Sequence, residues 1–145
     1  QNPYNLLNRD LEAEMWPAQR AQNFGVMTYS PLGVGLLSGV YGPGREAPSG
    51  SLYATVRAKH YADEMDQRAD DTLAALREIA AARGKTVAQT ALNWVLSHPE
   101  VSLAITGGDT AEHMEENVGA VGWTISAEER ARLDAVSSGA ERVLD

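Results

Sequence analysis

Residues 25–39 read Gly25-Val26-Met27-Thr28-Tyr29-Ser30-Pro31-Leu32-Gly33-Val34-Gly35-Leu36-Leu37-Ser38-Gly39. Val26 to Tyr29 is β-branched and aromatic, which suits a short buried strand, and Pro31 and Gly33 break regular structure directly behind it. A second stretch repeats the pattern. Val101 to Thr106 is a short apolar run bounded by Pro99 and by Gly107-Gly108, so another buried strand is expected to run into another glycine-containing turn. Between and around these strands the sequence is helical. Leu73, Leu76, Ile79 and Ala80 recur at helical spacing within Asp66 to Arg83, and Gly84 follows as a stop. Thr86-Val87-Ala88-Gln89 and Ser126-Ala127-Glu128-Glu129 are capping boxes, in which a hydroxyl and an amide or carboxylate each satisfy a free N–H at a helix start. Behind them lie the apolar positions Ala88, Ala91, Leu92 and Val95, and then Leu133 and Val136. Thr110 can cap one more helix, running to about Val121, and Pro17 can open a short one over Ala18 to Phe24 with Gly25 as its stop.

Strand, helix, strand, helix in that order specifies an α/β protein with parallel strands, because parallel neighbours need a crossover of a dozen or more residues. Two full strands and a stub near Gln1 are few for a parallel sheet. Their outer edges would carry unpaired N–H and C=O groups, so something is expected to be missing before Gln1, or a second copy to cover the edges. From Gly33 to Ser51 glycines and prolines are dense, which predicts a long loop that covers something or is mobile.

Composition narrows the function classes. The chain has 145 residues, no cysteine and a formal charge of −8, so disulfide frameworks, thiolate metal sites and cysteine nucleophiles are excluded, and a single domain over residues 1–145 is expected. Nucleic-acid binding draws its affinity from clustered Lys and Arg, which this acidic chain lacks. No apolar run approaches the length of roughly 20 residues that spans a bilayer. A cytoplasmic setting is the default. His60, His98 and His113 show no metal-ligand spacing and read as surface or loop residues. Ser30 and Ser97 lack a nucleophile elbow, and the pairs Asp70-Asp71 and Glu115-Glu116 do not share a helix face, so neither hydrolase nor carboxylate-dyad chemistry is indicated. Trp16, Trp94 and Trp123 read as packing residues.

Two constellations remain. A parallel α/β protein binds ligands at the carboxyl ends of its strands, where Ser30, Leu32, Gly33 and Gly35 place backbone amides that could approach a phosphate, beside Tyr29, which could stack on a ring. The same composition also suits a plain turn. Gly107, Gly108 and Asp109 precede the helix opened by Thr110, whose free N–H groups could receive an anion, with Glu116 and Asn117 one turn further in. Alternatively, Asp109 simply stabilises the helix start, and Glu112, Glu115 and Glu116 form a solvated face.

The residues Gln1-x-x-Tyr4-Asn5-Leu6-Leu7-Asn8-Arg9, the segment Gly25 to Tyr41 with its Tyr29-Ser30-Pro31-Leu32-Gly33 core, Thr86-x-Ala88-Gln89-x-Ala91-Leu92-x-Trp94, Glu115-Glu116-Asn117 and Ser126-x-Glu128-Glu129-x-x-x-Leu133-Asp134 together resemble the later part of an aldo-keto reductase. The resemblance covers nearly the whole chain and implies an incomplete (β/α)₈ barrel of the TIM type: the last two to three βα units plus a C-terminal helix. It implies reduction of aldehydes or ketones to alcohols by hydride transfer, with NADP as cofactor, NAD as the alternative and a small carbonyl compound as substrate. Gln1 would then meet the nicotinamide carboxamide and Tyr29 its ring. Ser30, Leu32, Gly33 and Gly35 would line the pyrophosphate. Gly107, Gly108, Asp109 and His113 would surround the adenosine ribose and its 2′-phosphate, and Glu116 and Asn117 would meet the adenine. The family's catalytic Asp, Tyr, Lys and His would belong to strands before Gln1, so no catalytic residue is assigned here and the isolated chain is expected to be inactive. The family usually has Arg, Lys or Ser where Gly108 and Asp109 stand, and Arg where Leu52 stands. A carboxylate facing a 2′-phosphate is repulsive. The competing reading is a non-catalytic module that binds nucleotide or dimerises through its open strand edges.

Overall fold

A computed structural model of the chain describes residues 1–42, 45–61 and 65–138. Pro43 and Gly44 of the expected loop, and residues 139–145 of the expected domain, lie outside the described residues.

Three parallel strands form one sheet in chain order: β1 (Asn2–Pro3), β2 (Val26–Tyr29) and β3 (Val101–Ile105). Asn2 pairs with Thr28 and Pro3 with Tyr29, while Met27 pairs with Leu103 and Tyr29 with Ile105. Parallel strands that neighbour one another in chain order are the arrangement an arc of a barrel wall presents. Five α-helices accompany the sheet among the described residues: α1 (Met15–Gln22), α2 (Gln67–Arg83), α3 (Val87–Leu96), α4 (Ala111–Val118) and α5 (Ala127–Ser137).

Both capping boxes form as the sequence predicts. The Thr86 hydroxyl accepts from the Gln89 N–H at 3.1 Å while the Gln89 side chain accepts from the Thr86 N–H at 3.2 Å, and Ser126 and Glu129 repeat the exchange at the start of α5. Asp66 caps α2 by accepting from the Ala69 N–H at 2.8 Å. Gly84 ends that helix in the left-handed conformation (φ 60°), which a residue without Cβ adopts at no steric cost. The lengths of two helices differ from expectation. α1 starts two residues before Pro17, which still sits in the first turn where its missing N–H costs nothing, and it stops at Gln22 because Asn23 turns left-handed (φ 53°) ahead of Gly25. α4 stops at Val118 rather than Val121, with the Gly119 N–H closing on the Glu115 and Glu116 carbonyls.

The core lies between the sheet and the helices. α3 is buried on almost every side, and Trp94 on it stacks against Tyr4 with ring centroids 5.3 Å apart while its indole N–H donates to Asp134 Oδ1 at 2.8 Å. Asn93 ties the connection between α4 and α5 to the same helix. Its amide donates to the Ala120 and Trp123 carbonyls, and its oxygen accepts from the Ile125 N–H. Trp16 is buried and Trp123 partly buried, as packing residues should be.

His98 corrects the surface assignment made from sequence, because it is only 4% exposed. Its Nδ1 lies 2.9 Å from the Trp94 carbonyl and its Nε2 3.0 Å from the Tyr4 hydroxyl, which donates in turn to Glu12 Oε1 at 2.7 Å. The imidazole fills a space walled by Tyr4, Trp16 and Trp94. Burial, followed by the nearby Arg130 charge, depresses its pKa below the ordinary histidine value. Burial would raise the Glu12 carboxyl, but hydrogen bonds from Arg9 and Tyr4 outweigh it and hold that group below the usual range.

The two strands are not buried on both faces as expected. Val26 and Thr28 are enclosed, but Met27 and Tyr29 are 42% and 39% exposed, and Leu103 and Ile105 on β3 are 42% and 38% exposed. Helices cover one side of the sheet, and these four side chains are left partly open on the other.

The described residues of the glycine-rich loop pack against the rest of the chain. Leu36–Ser38 forms a 3-10 turn with Leu36 and Leu37 buried, and Tyr41, Tyr53 and Tyr61 pack ring on ring at 5.5 to 5.8 Å. The loop therefore covers the adjoining helical core.

Candidate functional site

The carboxyl ends of β2 and β3 open into one cavity of about 390 Å³. Two turns build it. Ser30, Pro31, Leu32, Val34 and Gly35 come from the turn after β2, and Ile105, Thr106, Gly107, Gly108, Asp109 and His113 come from the end of β3, the turn behind it and the first turn of α4. Strands of equal polarity end together at one rim, so residues some 75 positions apart in sequence meet here.

The first turn is wound unusually. Ser30, Gly33, Val34 and Gly35 all have positive φ, at 50°, 56°, 56° and 97°. Glycine adopts such angles freely, but a β-branched valine does so at a cost of about 1–3 kcal/mol, and strain of this kind concentrates at functional sites. Asn5 steadies the turn by donating from its side chain to the Ser30 carbonyl at 2.9 Å. The sequence offered the amides of Ser30, Leu32, Gly33 and Gly35 to a phosphate, and the turn's own hydrogen bonds use two of them. The Gly33 N–H donates to the Ser30 carbonyl and the Gly35 N–H to the Leu32 carbonyl, so both are already used. The amides of Leu32 and Val34 are not among the turn's internal donors. Val34 gave no signal in the sequence, because a valine in this conformation is not predicted by its residue type.

The second turn is held by Asn117, whose side-chain amide donates to the Gly107 carbonyl at 3.0 Å. A Cβ at Gly108 would approach the Met114 sulfur to 2.5 Å, so a side chain there would require the Met114 side chain to shift. The start of α4 is less free than expected. Thr110 Oγ1 accepts from the His113 N–H at 3.3 Å, and the Glu112 carboxylate takes hydrogen bonds from its own backbone N–H and from the Thr110 hydroxyl, which hold its pKa below the usual carboxylate range.

Of the residues singled out from sequence, the cavity gathers Ser30, Leu32, Gly35, Gly107, Gly108, Asp109 and His113. Gly33 belongs to the same turn but packs toward Asn5 and Leu37. Tyr29 lies on the open face of the sheet at the end of β2, beside Ile105 in register. Gln1 is exposed just before β1 and, by strand alternation, shares that open face with Pro3. Glu116 is half-buried one helical turn beyond His113, and its carbonyl accepts from the Gln89 side chain. Pro31, Ile105 and Thr106 line the cavity in addition. Among the described residues no three His, Asp or Glu side chains converge to hold a metal ion, and no helix is long and apolar enough to cross a membrane.

Donors at one turn, a polar rim at the other and an adjacent half-exposed aromatic ring suit an elongated ligand with a phosphate near its middle and a flat ring at one end. A nicotinamide dinucleotide has that form, and the residues present fit it. The cavity itself has room for only part of such a molecule, the rest of which would extend along the open face toward Tyr29.

Comparison with known proteins agrees with this geometry. The model of the Aldo/keto reductase family matches residues 1–138. An L-glyceraldehyde 3-phosphate reductase of Escherichia coli O157:H7 is 34% identical over 137 residues, covering 92% of this chain and 40% of that protein. A probable voltage-gated potassium channel subunit beta of Arabidopsis thaliana is 37% identical over 125 residues, covering 83% of this chain and 37% of that protein. Among solved structures, a glycerol dehydrogenase of Gluconobacter oxydans superposes with a TM-score of 0.77 at 23% identity, covering 99% of this chain and 44% of the other. The fold is thus that of a partial TIM-type barrel, and the chain spans well under half the length of these relatives.

Proposed function

Because the chain belongs to the aldo/keto reductase family, we propose that it forms the cofactor-holding arc of a barrel that reduces aldehydes or ketones to alcohols. The cavity where the turns after β2 and β3 meet carries this reading. A bound nicotinamide cofactor, NADPH or NADH, would supply the hydride that adds to a carbonyl carbon. The chain's own residues bind and orient. In this reading the Leu32 and Val34 amides, with Ser30, Gly33 and Gly35 shaping their turn, receive the pyrophosphate. Tyr29 stacks on the nicotinamide ring, and Gln1 on the same face reaches its carboxamide. Gly107, Gly108, Asp109 and His113 adjoin the ribose of the adenosine, with Glu116 and Asn117 toward the adenine. No residue of this chain is given the proton-transfer role. That role, and the contacts that select a small carbonyl substrate, are assigned to barrel strands supplied from outside this sequence, in a cytoplasmic setting.

A binding experiment tests the reading. The purified chain is titrated with NADPH and NADH, following cofactor emission and tryptophan quenching, with circular dichroism reporting the fold. Saturable binding by a folded chain is the expected result, and a folded chain that binds neither cofactor contradicts it. Turnover of aldehydes is expected only after mixing or fusing with the complementary part of a family barrel.

A second reading, a module that dimerises without catalysis, draws on the four half-exposed apolar side chains of the open sheet face. Sedimentation separates the two: a compact dimer with no nucleotide affinity favours the module, and a nucleotide-binding monomer favours the reductase arc.

A further inference from the structure

The turn after β2 begins with a residue in an uncommon backbone conformation, and the group that holds it there comes from beyond β1. Ser30 has φ 50°, in the left-handed region that residues other than glycine rarely adopt. Ser30 also carries the carbonyl on which the turn closes, since the Gly33 N–H donates to it at 2.9 Å. A serine free to relax to negative φ would swing that carbonyl away and open the turn at its first bond.

A second donor opposes this. The pairing of β1 with β2 extends to Tyr4, whose N–H donates to the Tyr29 carbonyl at 3.2 Å. Beyond it the backbone leaves the sheet, because the Asn5 N–H and carbonyl are both taken by Asn8, at 3.0 Å each. The Asn5 side chain supplies the next rung instead. Its Nδ2 donates to the Ser30 carbonyl at 2.9 Å, one residue beyond the last backbone bond. The other end of the amide is fixed as well: Oδ1 accepts from the Leu7 N–H at 2.8 Å, and the residue is only 5% exposed. The amide therefore cannot turn away from Ser30 without breaking a buried hydrogen bond.

We propose that Asn5 is a positioning residue for the cavity: by clamping the Ser30 carbonyl it keeps Ser30 left-handed and so sets the course of residues 30–35 along the cavity wall. Asn5 does not line the cavity and acts only through Ser30. The ligand that gains from the clamp is the dinucleotide whose pyrophosphate the turn receives, and in that respect the inference rests on the nucleotide-binding reading proposed above. The clamp itself is a property of the chain without ligand.

Amide exchange without ligand and titration with NADH and NADPH, both on the 145-residue chain, test it together. Asn5→Ala should speed exchange of the Gly33 amide more than that of the amides in α3, and should weaken nucleotide binding about ten-fold. Asn5→Asp keeps the oxygen that accepts from Leu7 and loses only the donor to Ser30, so it should do the same with residues 5–8 in place. Glycine adopts positive φ without a clamp. In a Ser30→Gly background the loss caused by Asn5→Ala should therefore shrink to about two- to three-fold, a rescue that an Asn5 serving only its own loop would not show. A Gly33 amide that neither Asn5 variant speeds, or a binding loss just as large in the Ser30→Gly background, overturns the inference while the nucleotide-binding reading stands. An unaltered chain that folds but binds neither cofactor removes that reading, and the Gly33 exchange then decides alone whether Asn5 clamps the turn.

Discussion

On the side of the sheet that meets the helices, Val26 and Thr28 are enclosed, and the neighbouring Tyr4, Trp94 and His98 share stacked rings and hydrogen bonds. On the opposite side, Met27, Tyr29, Leu103 and Ile105 each keep 38–42% of their surface exposed. The same three strands thus carry a finished core on one face and an uncovered apolar face on the other. The difference divides the labour of the fold. The covered side holds the strands in register, and the open side, with the cavity at its rim, is where a flat ring can be received.

Substitutions on the two sides should therefore behave differently. Trp94→Ala removes the stack on Tyr4 and the bond to Asp134 at once, and should cost about 3–5 kcal/mol in urea denaturation. A loss under about 1 kcal/mol would mean that α3 is not the centre of the core.

Acid should weaken the covered side before neutral substitutions on the open side are felt. His98 has a lower pKa folded than unfolded, because burial and Arg130 disfavour its charged form. The unfolded chain therefore takes up more protons as the pH falls below the ordinary histidine value of 6.5, and stability declines from there toward the folded pKa. Denaturation midpoints measured from pH 7.5 down to about pH 5 should show this decline, and His98→Gln should flatten it. An unchanged slope in that variant would place the titrating group elsewhere.

The smallest effect is expected on the open face. Leu103→Ser should change stability by no more than about 1 kcal/mol, since its side chain is already 42% exposed. A larger cost would show that this face is covered in solution, as the dimerising module requires.

Much of this was legible in the sequence, because local rules fix it. The capping boxes at Thr86 and Ser126, the parallel strands, and the cavity position at their carboxyl ends all follow from short-range patterns and from the chirality of βα units. What the sequence hid depends on partners far away or on absent ones. His98 is buried by Tyr4, 94 residues earlier, and no local pattern announces that pairing. The open face could not be foreseen from Val101 to Thr106, since a strand covered on both sides and one left bare on one side read alike as an apolar run. The internal bonds of the first turn were equally hidden, because composition locates glycines but not the hydrogen bonds their turns consume, and Val34 adopts an angle its residue type disfavours.

The central claim is that the rim joining the turns after β2 and β3 is a nucleotide site, and hydrogen exchange with and without NADH examines it most directly. The account predicts slower exchange at the Leu32 and Val34 amides and across the turn at residues 106–109, with α3 unchanged. Protection absent from both turns, or confined to the outer edge of β3, would contradict it.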